Sequence, residues 1–181
     1  MRDFCITFGG RDVSLANPTP ESINTKELAK RVETIRRFSG DPRALTVGHH
    51  ERFVAALCKA DPLSVILSSK ANMAECVVYG RVHDRPEALT GDVPAPLKAY
   101  LRSQGDYALD RVETRLTRAV LAAYGINEVR DEVLRAVYKY DKVAAALEWR
   151  FAMLEEWAPW CDEDARSVDH TLARHLINVT S

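Results

Sequence analysis

Residues 82–98 read Val82-His83-Asp84-Arg85-Pro86-Glu87-Ala88-Leu89-Thr90-Gly91-Asp92-Val93-Pro94-Ala95-Pro96-Leu97-Lys98. This stretch punctuates a chain whose apolar residues otherwise recur at helical spacing. A helix from about 70 to 84 ends on the adjacent His83 and Asp84, and Pro86 breaks it or opens a new turn. Gly91-Asp92-Val93-Pro94 is loop-like, and Pro96-Leu97-Lys98 starts a short helix. Adjacent His and Asp at a helix end can offer one nitrogen and one carboxylate oxygen to the same divalent cation. Such mixed sites suit Mn, Fe, Co, Ni or Zn better than Ca. The dipeptide alone carries little weight, because a His–Asp pair is more often a surface or helix-end contact.

Toward the N-terminus, Cys5-Ile6-Thr7-Phe8 and Val13-Ser14-Leu15 alternate apolar and polar residues around Gly9-Gly10, which predicts a small β-hairpin over 4–15. Asn17-Pro18-Thr19-Pro20 blocks regular structure. Asn24 with Glu27 forms a capping-box-like start to a helix carrying Leu28, Val32 and Ile35, predicted to end near Phe38-Ser39-Gly40. The next helix covers about 47–60, buries Phe53, Val54 and Leu57, and stops at Asp61-Pro62. Beyond the quoted stretch, 106–124 and 128–157 read as two longer helices separated by Gly125. Val133, Val137, Tyr140, Ala144 and Leu147 mark the buried stripe of the second. The tail from Pro159 is polar, with a short helix near 164–177. The expectation is an all-α bundle with a minor N-terminal hairpin, one domain over 1–181.

Bulk composition narrows the function. With 46% hydrophobic and 28% charged residues the chain is an ordinary globular protein, long enough to bury a core without disulfides. A net charge of -1 argues against a broad surface for DNA or RNA, but allows a small anionic substrate in one pocket. Cys5, Cys58, Cys76 and Cys161 form no CxxC pair, which reads as reduced thiols in a cytoplasmic protein. Met1-Arg2-Asp3 opens no signal peptide, and no apolar stretch reaches the length of a membrane span.

Two further residues are placed oddly for a plain bundle. His50 shares a helix face with Val54 and Leu57, and Asp141 sits mid-helix among Val137, Tyr140, Ala144 and Ala145. A carboxylate there is costly unless paired or bound to a cation. The bland readings are a satisfied core histidine and an ion pair with Lys139 or Lys142. His170 and His175 read as surface residues of the tail. Trp149, Trp157 and Trp160 read as core and bundle-edge packing, and packing is also the default for Tyr138 and Tyr140. Gly9-Gly10 is a turn and not a phosphate loop, because no GK[ST] follows.

Arg37-Phe38-Ser39-Gly40, then Thr46-Val47-Gly48-His49-His50, then the block from Val82 to Lys98, resembles the HD-domain nucleotide phosphohydrolases, most nearly the 5′-deoxynucleotidase branch and the phage dATP triphosphohydrolases. Tyr140-Asp141-Lys142 followed by Glu148 resembles the segment with that family's last metal ligand. Gly10-Arg11, Asn17-Pro18 and Ile23 through Ala29 are similar to the leader of phage-type members. The resemblance covers about residues 6–157. It implies an HD-domain helical bundle in which His50, His83, Asp84 and Asp141 hold a divalent ion: Mn, Co, Fe, Ni, Zn or Mg. Glu87 matches the acid/base carboxylate and Asp92 a second carboxylate near the attacking water or the sugar. Lys98 and Arg37 match phosphate-binding positions, with Arg36 the alternative to Arg37 and His49 the alternative to His50. The sequence departs from the pattern in places: Glu51 follows the first histidine, where a small or polar residue is usual, His49 stands where Gln or Glu is common, Tyr79-Gly80-Arg81-Val82 is less apolar than the usual run, and Arg85 replaces a small residue and is expected to point to solvent, the alternative being a phosphate contact.

The activity so implied is hydrolysis of a deoxynucleotide. A dNTP triphosphohydrolase releases triphosphate, with dATP one candidate substrate; a 5′-deoxynucleotidase releases orthophosphate from a dNMP. The rival of another class is a non-catalytic nucleotide-sensing or interaction protein with a structural metal. The resemblance also implies a homo-oligomer, dimer or hexamer, with a nucleotide as small-molecule partner, in the cytoplasm, or the host cytoplasm if the chain is phage-encoded.

Overall fold

In the computed structural model, which describes residues 4–180, Cys5–Phe8 (β1) and Arg11–Ser14 (β2) pair antiparallel with Cys5 opposite Ser14. Gly9 and Gly10 both take positive φ, as a two-residue hairpin turn demands. The reading of Met1-Arg2-Asp3 lies outside the described residues.

After a 3-10 turn at Pro20–Ser22, the side chain of Asn24 accepts a hydrogen bond from the Glu27 amide and starts α1 (Thr25–Arg31). This helix ends well before Phe38. The β-branched Thr34 and Ile35 leave the helix, and the chain runs extended beside the entry to the next one. The Arg37 amide donates to the Leu45 carbonyl at 3.0 Å, the Val47 amide donates to Ile35 at 2.9 Å, and Arg36 bridges Thr46. Then comes α2 (Arg37–Gly40), a single irregular turn in which Phe38 and Ser39 are left-handed, with φ of 51° and 60°.

Thr46 caps α3 (Val47–Ala60), and a left-handed Asp61 stops it. Asn72 caps α4 (Met73–Gly80), which ends four residues short of the predicted Asp84. Residues 81–86 continue as turns into α5 (Glu87–Thr90), so His83 and Asp84 sit on a loop and not on a helix. The rest is helical: α6 (Ala95–Ser103), α7 (Ala108–Ala123), α8 (Asp131–Phe151), a 3-10 turn at Glu163–Ser167 and α9 (His170–Val179). α8 stops at Phe151 because the chain folds back over its end. Leu154 is left-handed, and the Trp149 indole N–H donates to the Glu156 carbonyl at 2.9 Å. The polar tail is a docked element: Ala165, Val168, Ala173 and Ile177 are buried with the main core.

Two apolar clusters hold the bundle. One gathers Phe53, Leu57, Val137, Leu147 and Ile177 from α3, α8 and α9. The other gathers Val13, Leu28, Val32, Leu116 and Val120 from the hairpin, α1 and α7, and takes in Val47 at the start of α3. His50 lies on α3 between the residues that serve each cluster. Asp61 ties α3 to α8: it accepts from the Tyr140 hydroxyl at 2.6 Å and from the Ile66 and Leu67 amides. The architecture is mostly helical with one small hairpin, as the sequence predicts. Among the described residues no helix is long and apolar enough to cross a membrane.

Candidate metal centre

α3 supplies His50, the turn after α4 supplies His83 and Asp84, and α8 supplies Asp141. Each offers one ligand atom, and the four atoms lie within 4.8 Å of one another. His50 Nε2 is 2.9 Å from Asp141 Oδ1 and 3.6 Å from Asp84 Oδ2. His83 Nε2 is 3.5 Å from Asp84 Oδ2 and 3.8 Å from Asp141 Oδ1. Each imidazole is oriented from behind. His50 Nδ1 donates to Glu148 Oε1 at 2.6 Å, and His83 Nδ1 donates to the Gly80 carbonyl at 2.9 Å. Both Nε2 atoms are thereby left facing the group, the orientation that outer partners impose on metal-binding histidines.

These residues fit a divalent ion. Two imidazole nitrogens and two carboxylate oxygens make a donor set for a first-row metal. His83 Nε2 is buried and makes no close hydrogen bond among the described residues, its nearest acceptors being Asp84 at 3.5 Å and Asp141 at 3.8 Å, so the ring nitrogen and the two carboxylates face one another across a gap. The electrostatics agree. Burial pulls the His83 imidazole down, but Asp84 and Asp141 outweigh it and raise it to about 10. Burial would raise Asp141, but the His50 and His83 imidazoles hold it well below the usual carboxylate range.

Arg37 stands behind the group, with Nε 3.1 Å from Glu148 and Nη1 3.3 Å from Asp84. Burial works against its charge, but Glu148 and Asp84 hold the charge in place. Arg36 instead donates to the Ala44 carbonyl. His49 Nε2 lies 2.8 Å from the Ile177 carbonyl, facing α9, so His50 is the histidine that reaches the group. Burial and then the charge of Asp84 push the Glu87 carboxyl well up, and its Oε2 is buried without a hydrogen-bond partner among the described residues. Burial also raises Asp92. Lys98 is half-buried and paired with Glu113 at 2.8 Å. The bland partners proposed for Asp141 are engaged elsewhere: Lys139 pairs with Asp162 and Asp164, and Lys142 lies over the Tyr138 ring at 4.5 Å.

Sequence reasoning named Glu148, Glu51 and Arg85 but missed how each is placed beside the group. Glu148 is fully buried two turns along the same face of α8 as Asp141, and its i+7 spacing was the available signal. Glu51 and Arg85 form a pair, Nη2 to Oε2 2.7 Å, so Arg85 does not point to solvent. Its side chain is 13% exposed because the buried Glu51 draws it inward and the Tyr124 ring covers it at 5.6 Å.

Phe38, Trp149 and Trp160 form an edge cluster, and Tyr140 is core. Tyr138 is not: it is 61% exposed. With Tyr79, Leu134 and the ligand residues His83, Asp84 and Asp141 it lines a cavity of about 470 Å³.

No family model matches the sequence. The chain is 31% identical over 144 residues to an uncharacterized protein of Rhodobacter capsulatus, an alignment covering 77% of this chain and 67% of the relative. This chain belongs to that protein's family. A conserved hypothetical protein from Pyrococcus furiosus has a similar fold, with a TM-score of 0.55 and 20% identity over 86% of this chain and 96% of that one.

Proposed function

We propose that this protein is a metal-dependent phosphohydrolase of the HD-domain type that acts on deoxynucleotides, most nearly a dNTP triphosphohydrolase. The observation that carries the reading is the convergence of His50, His83, Asp84 and Asp141, drawn from three parts of the chain, within 4.8 Å. The resemblance of the Val82–Lys98 block to that family adds the substrate class, and the phage-like leader favours a triphosphate over a monophosphate.

A divalent ion held by these four residues would polarise a phosphoryl oxygen and lower the pKa of water from 15.7 towards about 7. The chain's own groups supply the rest. Arg37 and Lys98 carry the positive charge that offsets charge developing on the phosphate. Glu148 fixes the His50 ring, and the Gly80 carbonyl fixes that of His83. As the bond from water oxygen to phosphorus forms and that to the leaving oxygen breaks, Glu87, its carboxyl pushed up by burial, gives its proton to the leaving oxygen, and Asp92 takes the proton that the water loses. Asp92 stands nearby as a second carboxylate to orient the water or the sugar.

The test is incubation of purified protein with Mn or Co and a panel of dNMPs and dNTPs. Triphosphate release supports the proposal, and orthophosphate from a dNMP moves the assignment to the 5′-deoxynucleotidase. No hydrolysis under any metal overturns it. Asp84→Ala should abolish turnover with the helical fold retained; loss of folding instead would point to a structural ion.

A further inference from the structure

We infer that the cavity between Tyr79 of α4, Thr117 of α7 and the Leu134–Tyr138 face of α8 is the subsite for the planar base of the nucleotide. This rests on the phosphohydrolase reading for where the phosphate end lies. Three of the four metal-site residues, His83, Asp84 and Asp141, stand in the walls of the same cavity. A molecule filling it therefore touches the reacting centre at one end. Its volume of about 470 Å³ falls within the range of small-molecule sites.

The remaining walls select the kind of molecule. Tyr79, Leu134, Val137 and Tyr138 are aromatic or aliphatic, with Thr117 as a hydroxyl and Arg135 as a single cation at the rim. A flat heteroaromatic ring with polar edges suits such walls; a polyphosphate, which needs several cations, does not. Leu134, Tyr138 and Asp141 follow one another at i, i+4 and i+7, so one face of α8 carries both the apolar wall and a metal-site carboxylate. Tyr138 offers an exposed ring in the cavity wall. The Lys142 ammonium lies over one side of its ring at 4.5 Å, and the exposed ring has no aromatic partner among the described residues. The face of the ring away from Lys142 is thus available to a planar ligand in the cavity.

The experiment compares wild-type protein with Tyr138→Ala and Tyr138→Phe. Turnover with Mn is measured on the preferred deoxynucleotide and on deoxyribose carrying the same phosphate but no base. In parallel, binding of deoxyadenosine and thymidine is measured by calorimetry, without any phosphate. We expect the ratio of kcat/KM for nucleotide over base-free substrate to fall about tenfold in Tyr138→Ala, the scale of one base–aromatic stack, mainly through KM. Tyr138→Phe should restore it, and Tyr138→Ala should weaken nucleoside binding by a similar factor. Equal effects on both substrates, or nucleoside binding unchanged by Tyr138→Ala or absent from wild type, overturn the subsite. Nucleoside binding that depends on Tyr138 without hydrolysis of any phosphate upholds the subsite and overturns the phosphohydrolase reading alone.

Discussion

Glu51 and Arg85 each depart from the sequence pattern that the chain otherwise resembles, and each answers the other. Glu51 follows His50 and Arg85 follows Asp84, so their ion pair links the two strands of sequence that bear metal-site residues. Burial pushes the Glu51 carboxyl up to about 7, and Arg85 offsets only part of that. Measured well above pH 7, where Glu51 is held charged, Arg85→Ala leaves an uncompensated carboxylate in a site 1% exposed and should cost up to about 3–5 kcal/mol in urea unfolding, a cost that falls as the pH drops and Glu51 takes up a proton. Arg85→Ala with Glu51→Gln should recover much of that loss. A cost for Arg85→Ala within about 0.5 kcal/mol, the ordinary range of a surface change, would show that the two are not coupled. At this scale the sequence was informative where chemistry is written in neighbours. The His83–Asp84 adjacency and the place of His50 on an apolar helix face are both local patterns. The Glu51–Arg85 pair spans 34 residues and a change of element, and no periodicity connects its members.

Helix starts proved easier to read than helix ends, for a physical reason. A start is specified by a capping side chain and its nearest amides, as at Asn24, Thr46 and Asn72. An end such as Gly80 is specified by what approaches it. A Cβ on Gly80 would lie 3.3 Å from the Cα and N of Ala55, so α4 can press its backbone onto α3 only with glycine there. Gly80→Ala should therefore destabilise by about 1–3 kcal/mol despite the better helix propensity of alanine. It should also weaken metal binding, because the Gly80 carbonyl holds His83. Gly48→Ala is the control: the nearest atoms to its Cβ would be the carboxylate end of the Glu33 side chain, which can shift at the expense of its exposed ion pair with Arg52. If unfolding midpoints of the two variants coincide, the close contact of α3 with α4 is not what fixes the turn.

An ion that bound the folded chain at the proposed site would stabilise the whole molecule through mass action. A metal present at one hundred times its dissociation constant stabilises the folded state by about 2.7 kcal/mol. For a chain of this size that corresponds to a rise of roughly 5–10 °C in Tm. Scanning calorimetry after chelation and after addition of Mn, Co, Fe, Ni, Zn or Mg should show this rise with at least one metal, reversed by EDTA and absent in Asp84→Ala. A flat response to all six would remove the ion from the account. The bundle and hairpin were legible in apolar spacing. The docking of α9 was not, because its two buried residues, Ala173 and Ile177, are sparse within a polar segment.

The four converging side chains lie at positions 50, 83, 84 and 141, and the last of these comes from the longest helix. During synthesis a ribosome has released the first three long before Asp141 and its supporting Glu148 emerge. An ion held by all four residues would therefore come too late to template the early helices. Caps and apolar contacts would have to shape those first, and the four-residue group is complete only when α8 closes against α3 and α4.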